Sequence, residues 1–168
     1  MKLSVISVGR LKDGPERELT ERYSERATGL GRALSVSLQN VELPESRARR
    51  DAERKAEEGT AILDKVRGAV LVVFDERGKS MASDAFAKRL AAWRDEGRAG
   101  AAFVIGGPDG LDGRVRDAAD LVLSFGALTL PHQLVRVLVV EQLYRALTIL
   151  SGHPYHRAGS SDPDASSP

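Results

Sequence analysis

Cysteine is absent from the 168 residues of this chain. Disulfides, thiolate metal ligands and cysteine nucleophiles are therefore excluded together. Histidine occurs only three times, as His132, His153 and His156, and no pair stands at H-x-x-x-H or H-E-x-x-H spacing. No resident metal is expected on that basis. Aromatic residues make up 5% of the chain. No apolar run approaches the roughly 18 to 20 residues needed to cross a bilayer, because the longest, Leu134 to Leu150, is broken by Arg136, Glu141, Gln142 and Arg145. The opening MKLSVISVGRLKDG has a short alternating stretch, then charges and Gly-Pro. It does not read as a signal peptide, and a cytoplasmic location is expected.

An excess of charge of one sign is also missing, since 25 Lys and Arg balance 24 Asp and Glu for a net charge of +1. Attraction to nucleic acid through a global field is not expected, so any such affinity must come from local patches. Candidates are Arg10 with Lys12, the run Arg47, Arg49, Arg50, Arg54 and Lys55, Arg77 with Lys79, and Arg157. Asp51, Glu53, Glu57 and Glu58 interleave with the second group. A solvated helix face with i,i+4 pairs is the favoured reading there.

What the chain does have is 42% hydrophobic residues distributed as alternating strand and helix patterns. Strands are expected at Lys2 to Gly9, Leu34 to Leu43, Ala69 to Asp75, Ala101 to Ile105 and Leu121 to Phe125. Helices are expected from an Asp13 cap to about Thr28, and over Ser46 to Val66, Ser83 to Glu96, Arg114 to Ala119 and a long final segment through Leu150. Continuous apolar strands separated by helices predict a three-layer α/β/α fold with a mostly parallel sheet, formed by one domain over residues 1–157. From Ala158 the composition turns to AGSSDPDASSP, which has nothing to bury, so 158–168 is expected to be a disordered tail. The final helix is apolar almost all round, which predicts burial on several sides and a homodimer.

Two strand ends look like loops of one cofactor pocket. FVIGGPDG, residues 103–110, and ALTLPH, residues 127–132, each follow an apolar run and precede a helix pattern. Ligands of α/β proteins bind at such positions. The first is neither G-x-G-x-x-G nor a P-loop, and Pro108 removes an N–H that a phosphate cradle would use. A nicotinamide or ATP site is thereby disfavoured. After the final helix, HPYHR at 153–157 gathers two histidines, a tyrosine and an arginine.

The motifs IGGPDG, ALTLPHQLVRVLVVEQLYRA and HPYHR, in this order within residues 1–157, resemble the ribosomal RNA large subunit methyltransferase H family of the SPOUT class. That resemblance implies a dimer with a deep trefoil knot in its C-terminal half. It also implies methylation of N3 of a pseudouridine in 23S ribosomal RNA, with S-adenosyl-L-methionine as donor, S-adenosyl-L-homocysteine as product and no metal. Transferred to matching positions, the cofactor residues are Phe74, where the family often has an aliphatic, then Gly106, Phe125, Gly126, Ala127, Leu128, Thr129 and Leu130. His156 is the candidate for handling the N3 proton, with Tyr155 as its alternative, and Arg157 suits a phosphate or a base carbonyl. Arg136 or Arg145 can serve the same end across a dimer interface, Glu141 is expected to pair with Arg145, and His132 to cap or position the last helix. Modest net charge predicts the assembled ribosome as substrate. A non-catalytic dimeric RNA-binding module on the ribosome is the alternative, and an ATP-dependent enzyme a more distant one.

Overall fold

In the computed structural model, strand β1 (Lys2–Val8) sends Leu3 and Val5 to one side and Ile6 and Val8 to the other. Strands β3 (Val70–Lys79) and β4 (Gly100–Ile105) alternate in the same way. Val70, Val72, Phe103 and Ile105 join the first side, while Leu71, Val73, Ala102 and Val104 join the second. A strand apolar on both faces needs a cover on each. Helices α1 (Pro15–Gly31), α3 (Ser83–Asp95) and α5 (His132–Ser151) cover the first, and α2 (Asp51–Lys65) and α4 (Gly113–Asp117) the second. With β2 (Ser37–Leu43) and β5 (Leu121–Leu123), the sheet order is β2-β1-β4-β3-β5, parallel throughout. This is the expected three-layer α/β/α architecture.

The structure describes residues 1–157, and of His156 and Arg157 only the backbone. The tail expected at 158–168 lies outside the described residues. Among them no helix is long and apolar enough to cross a membrane.

Local expectations change as well: β2 begins at Ser37 rather than Leu34, because Arg32–Leu34 forms a 3-10 turn closed by Ser35 at φ +55°, and α4 is Gly113–Asp117 rather than Arg114 to Ala119. Helix α1 is capped by Gly14 with no side-chain bond, and Asp13 pairs with Arg17 at 3.2 Å, because it stands one residue too early to reach the first free amides. Helix α2 begins at Asp51 rather than Ser46. Residues 46–50 find partners outside a helix: the Ser46 amide donates to Glu58 at 2.9 Å, and Arg54 donates to the Ala48 and Arg49 carbonyls at 3.2 and 3.1 Å. Strand β5 stops at Leu123, after which the Ser124 hydroxyl exchanges bonds with Gly126 and turns the chain into a loop.

Helix α5 is apolar all round because its own chain surrounds it. Val139, Val140, Leu143 and Leu147 are fully buried against α1, α3 and the sheet. A second subunit is not needed to cover them. What stays open lies near the helix start, where Leu134 is 43% exposed, close in sequence to Leu128 at 83% and Phe125 at 38%.

Candidate active site

Because β4, β3 and β5 are neighbours with Phe74 opposite both Ile105 and Leu123, their C-terminal ends open at one edge. A cleft of about 840 Å³ lies there. Three segments build it: residues 74–77, the glycine turn at 106–111 and the loop 123–132 that leads into α5.

The turn depends on its glycines. A Cβ on Gly106 would stand 2.8 Å from Leu111 Cγ and 3.1 Å from the Gly110 carbonyl carbon. Gly110 has φ +83° and closes the turn through its N–H to the Gly107 carbonyl at 3.0 Å. The opposite wall is aromatic: Phe74 and Phe125 stack with ring centroids 5.1 Å apart and planes 9° from parallel. Gly126 at φ +125° then carries the chain into the largely exposed segment 127–129. Of the eight residues expected to hold a cofactor, Phe74, Gly106, Phe125, Gly126, Leu128, Thr129 and Leu130 line the cleft. Ala127 is exposed between two that do.

Of the charged groups at the cleft, Asp75, Asp109 and Arg116 were not chosen from the sequence, while Arg54, Lys55, Arg77 and His132 were named there for other roles. Arg116 donates to Asp75 at 3.2 Å and to the Leu111 carbonyl at 2.9 Å, tying β3 to the glycine turn. Arg54 of α2 reaches Asp109 at 2.6 Å, and this hydrogen bond holds the Asp109 carboxyl below its usual range. Under the turn, Glu58 is buried and its pKa is raised by desolvation, which its bond from the Ser46 amide only partly opposes. His132 lines the cleft at the start of α5; burial pushes its pKa below the ordinary value, Arg136 adds to that, and the imidazole is neutral at pH 7. The usable signal was that Asp75 directly follows the apolar run 69–74 and that Asp109 stands in the glycine turn after the apolar run 101–105.

The arginines proposed for a dimer contact are both engaged within the chain. Arg136 is buried and donates to the Val8 and Gly9 carbonyls at 2.5 and 2.9 Å and to Glu42 at 3.2 Å. It staples α5 to the end of β1. Arg145 forms the expected pair with Glu141 at 2.6 Å, and its guanidinium lies 5.1 Å from the Tyr155 ring centroid.

The C-terminal cluster lies elsewhere. Helix α5 ends at Ser151 with Gly152 left-handed, and Pro154–Arg157 forms a 3-10 turn. Tyr155 packs on Tyr144 with centroids 4.8 Å apart, and its hydroxyl donates to Glu141 at 3.3 Å. Desolvation, reinforced by Tyr23 and the Glu141 charge, pushes its pKa up to about 12. At neutral pH it keeps its proton. None of residues 153–155 lines the cleft. Glu141 is nine residues along α5 from His132, about 13 Å at about 1.5 Å of rise per residue.

Comparison with known proteins adds a family. The model described as "Predicted SPOUT methyltransferase" matches residues 1–156. A protein of Methylobacterium nodulans named ribosomal RNA large subunit methyltransferase H is 61% identical over 159 residues, covering 94% of this chain and 98% of that protein. One of the same name from Rhodopseudomonas palustris is 56% identical over 160 residues, with 94% and 100% coverage. Among solved structures, the SpoU methyltransferase AviRb from Streptomyces viridochromogenes in complex with the cofactor AdoMet is 16% identical, at a TM-score of 0.43, over 90% of this chain and 61% of that one.

Proposed function

This chain belongs to the SPOUT methyltransferase family, and we propose that it methylates N3 of a pseudouridine in 23S ribosomal RNA on the assembled ribosome. The donor is S-adenosyl-L-methionine, and the enzyme works as a cytoplasmic homodimer with one domain over 1–157. The knotted C-terminal half implied by the resemblance is part of this reading. The observation that carries it is the cleft at the ends of β3, β4 and β5, whose lining fits a nucleoside with a cationic sulfur. It pairs an aromatic wall and open backbone with the carboxylates of Glu76 and of Asp75, which Arg116 holds, beside the cations Lys55 and Arg77, and its histidine is neutral.

Phe74 and Phe125 would hold the cofactor's apolar surface, and the glycine turn and loop 125–130 would meet its polar edges through backbone groups. When bound, the cofactor supplies a methyl group already activated on a sulfonium. What the protein must add is alignment, exclusion of water and removal of one proton from N3. Tyr155 retains its own proton, so His156 is assigned that removal, while Arg157 stabilises negative charge growing on the neighbouring base carbonyls.

Geometry also favours two chains per site. Reacting groups must approach to about 3 to 3.5 Å, whereas the Tyr155 hydroxyl is anchored at the level of Glu141, well along α5 from the cleft. Phe125 and Leu128, which line the cleft, and Leu134 near the start of α5 are exposed apolar residues that a second copy would cover. The two halves of the active site thus come together across the dimer.

The test is methyl transfer from labelled S-adenosyl-L-methionine to ribosomes that carry their pseudouridines but lack the N3 methyl, with mass mapping of the product. One new methyl on one pseudouridine is expected, and naked 23S RNA should be a poorer substrate. Cofactor binding without transfer would favour a non-catalytic module. Failure of both would reject the cleft assignment.

A further inference from the structure

We propose that the loops after β1 and β2 form a basic ledge, continuous with the cleft, that grips the phosphate backbone of RNA beside the target nucleotide. This inference rests on the methyltransferase reading and specifies where the RNA lies. The start of α2 is what brings it out. Arg47, Arg49 and Arg50 precede that helix and stand exposed on an irregular segment at the C-terminal edge of the sheet. They are not part of an i,i+4 ladder.

The segment is joined to its neighbours on both sides. Toward β1, the Gly9 amide donates to the Leu43 carbonyl at 2.8 Å, the Leu11 amide donates to Glu42 at 2.7 Å, and Glu45 lies against Gly9. This places exposed Arg10 and Lys12 beside the loop after β2. Toward the cleft, Arg54 holds the Ala48 and Arg49 carbonyls and the Asp109 carboxylate together, and Lys55 lines the cleft wall. Arg10, Lys12, Arg47, Arg49, Arg50 and Lys55 therefore run from β1 to the cofactor edge on one continuous support.

Nearby carboxylates are mostly committed elsewhere. Glu42 takes Arg136, Asp109 takes Arg54, Asp13 takes Arg17, and Glu57 and Glu58 take Ser46. Glu53 meets Arg50 only at 3.6 Å, with both side chains more than half exposed. Among the described residues, Arg10, Lys12, Arg47 and Arg49 have no ion pair, and Glu45 is the only acid in 44–50. Guanidinium groups match phosphate in shape and charge. A run of unpaired cations beside the cleft gives a chain with a net charge of only +1 a local field where the RNA must enter.

Ribosome binding by co-sedimentation across a potassium chloride series tests the ledge, using the unaltered chain, Arg10→Gln/Arg47→Gln/Arg49→Gln, and a control, Arg32→Gln/Arg67→Gln/Arg98→Gln. The control removes the same charge at exposed positions just before β2, β3 and β4, on the opposite edge of the sheet. Each phosphate contact contributes about 0.7 to 0.9 to the slope of log affinity against log salt. The ledge variant should lose about two to three units of slope, with cofactor affinity unchanged, and the control should lose little. Arg47→Lys/Arg49→Lys should retain the slope, which separates charge from misfolding. Equal slopes in the ledge and control variants would overturn the ledge. Because binding is read directly, absence of methyl transfer by the unaltered chain counts against the methyltransferase reading and leaves the ledge test intact.

Discussion

If cleft and C-terminal turn meet only across two chains, two inactive variants should rescue one another. The perturbations are Thr129→Arg, which puts a cation at an exposed position in the cleft lining, and Arg157→Ala, which removes the guanidinium of the turn. The geometric premise is the α5 spacing. Tyr155 is tied to Glu141, about 13 Å of helix rise from His132, and reaction needs about 3 to 3.5 Å, so the shortfall within one chain is on the order of 10 Å. In a two-fold dimer with sites formed in trans, a mixed dimer contains one site with both defects and one with neither. Random pairing of equal amounts makes about half of the dimers mixed, so the mixture should recover about a quarter of the unaltered activity. Purified mixed dimers, selected with two tags, should show about half per dimer. Methyl transfer to unmethylated ribosomes is the readout, with each variant alone as background. Purified mixed dimers at background would refute the trans arrangement, because in a site built within one chain every chain carries a defect.

Arg136→Met strips charged donors from the Val8 and Gly9 carbonyls and should cost about 3 to 5 kcal/mol. At about 2 to 4 °C per kcal/mol for a chain of this size, Tm should drop by about 6 to 20 °C, and a loss under about 1 kcal/mol in urea would show that water replaces the staple. His132 has a folded pKa below its unfolded value of about 6.5, so protons bind the unfolded chain first and stability falls as pH drops from about 6.5 towards the folded pKa. His132→Asn should flatten the unfolding free energy across that window, and an unchanged slope would remove His132 from the account. Gly106→Ala places a Cβ 2.8 Å from Leu111 Cγ, which should cost about 1 to 3 kcal/mol and weaken cofactor binding measured by calorimetry. Cofactor affinity equal to that of the unaltered chain would mean that the turn does not touch the ligand.

The fold was legible where one segment carried its own answer. β1, β3 and β4 have apolar residues on both faces, a pattern that fits only a sheet covered on both sides, and α3 was placed to within a residue. Legibility failed where distant partners decide. The charged stretch at 46–66 has helical spacing throughout, yet Glu58 and Arg54 draw its first residues away from the helix. β3 runs on to Lys79 through a register shift against β5, which no local pattern announces. The all-apolar α5 suggested a second subunit, but the order of the strands puts enough of this chain around it.

The cleft divides along the same line. Gly106 and the loop after β5 follow strand ends and Phe74 ends the apolar run of β3 where its pairing with β4 stops, and a parallel sheet brings such points to one edge, so their convergence followed from the fold class and the family resemblance together. The ion pairs that brace them, Arg54 with Asp109 and Arg116 with Asp75, join residues 55 and 41 positions apart. One arginine among many gave no sign of its partner. HPYHR was conspicuous in the sequence, and its adjacency to ALTLPH through one helix invited a single site. That helix is what separates them, because a helix converts closeness in sequence into distance in space at about 1.5 Å per residue. On the proposal that both motifs serve one reaction, a second α5 turned to meet the first would bring them together, so the helix's length argues for the dimer more strongly than its hydrophobicity does.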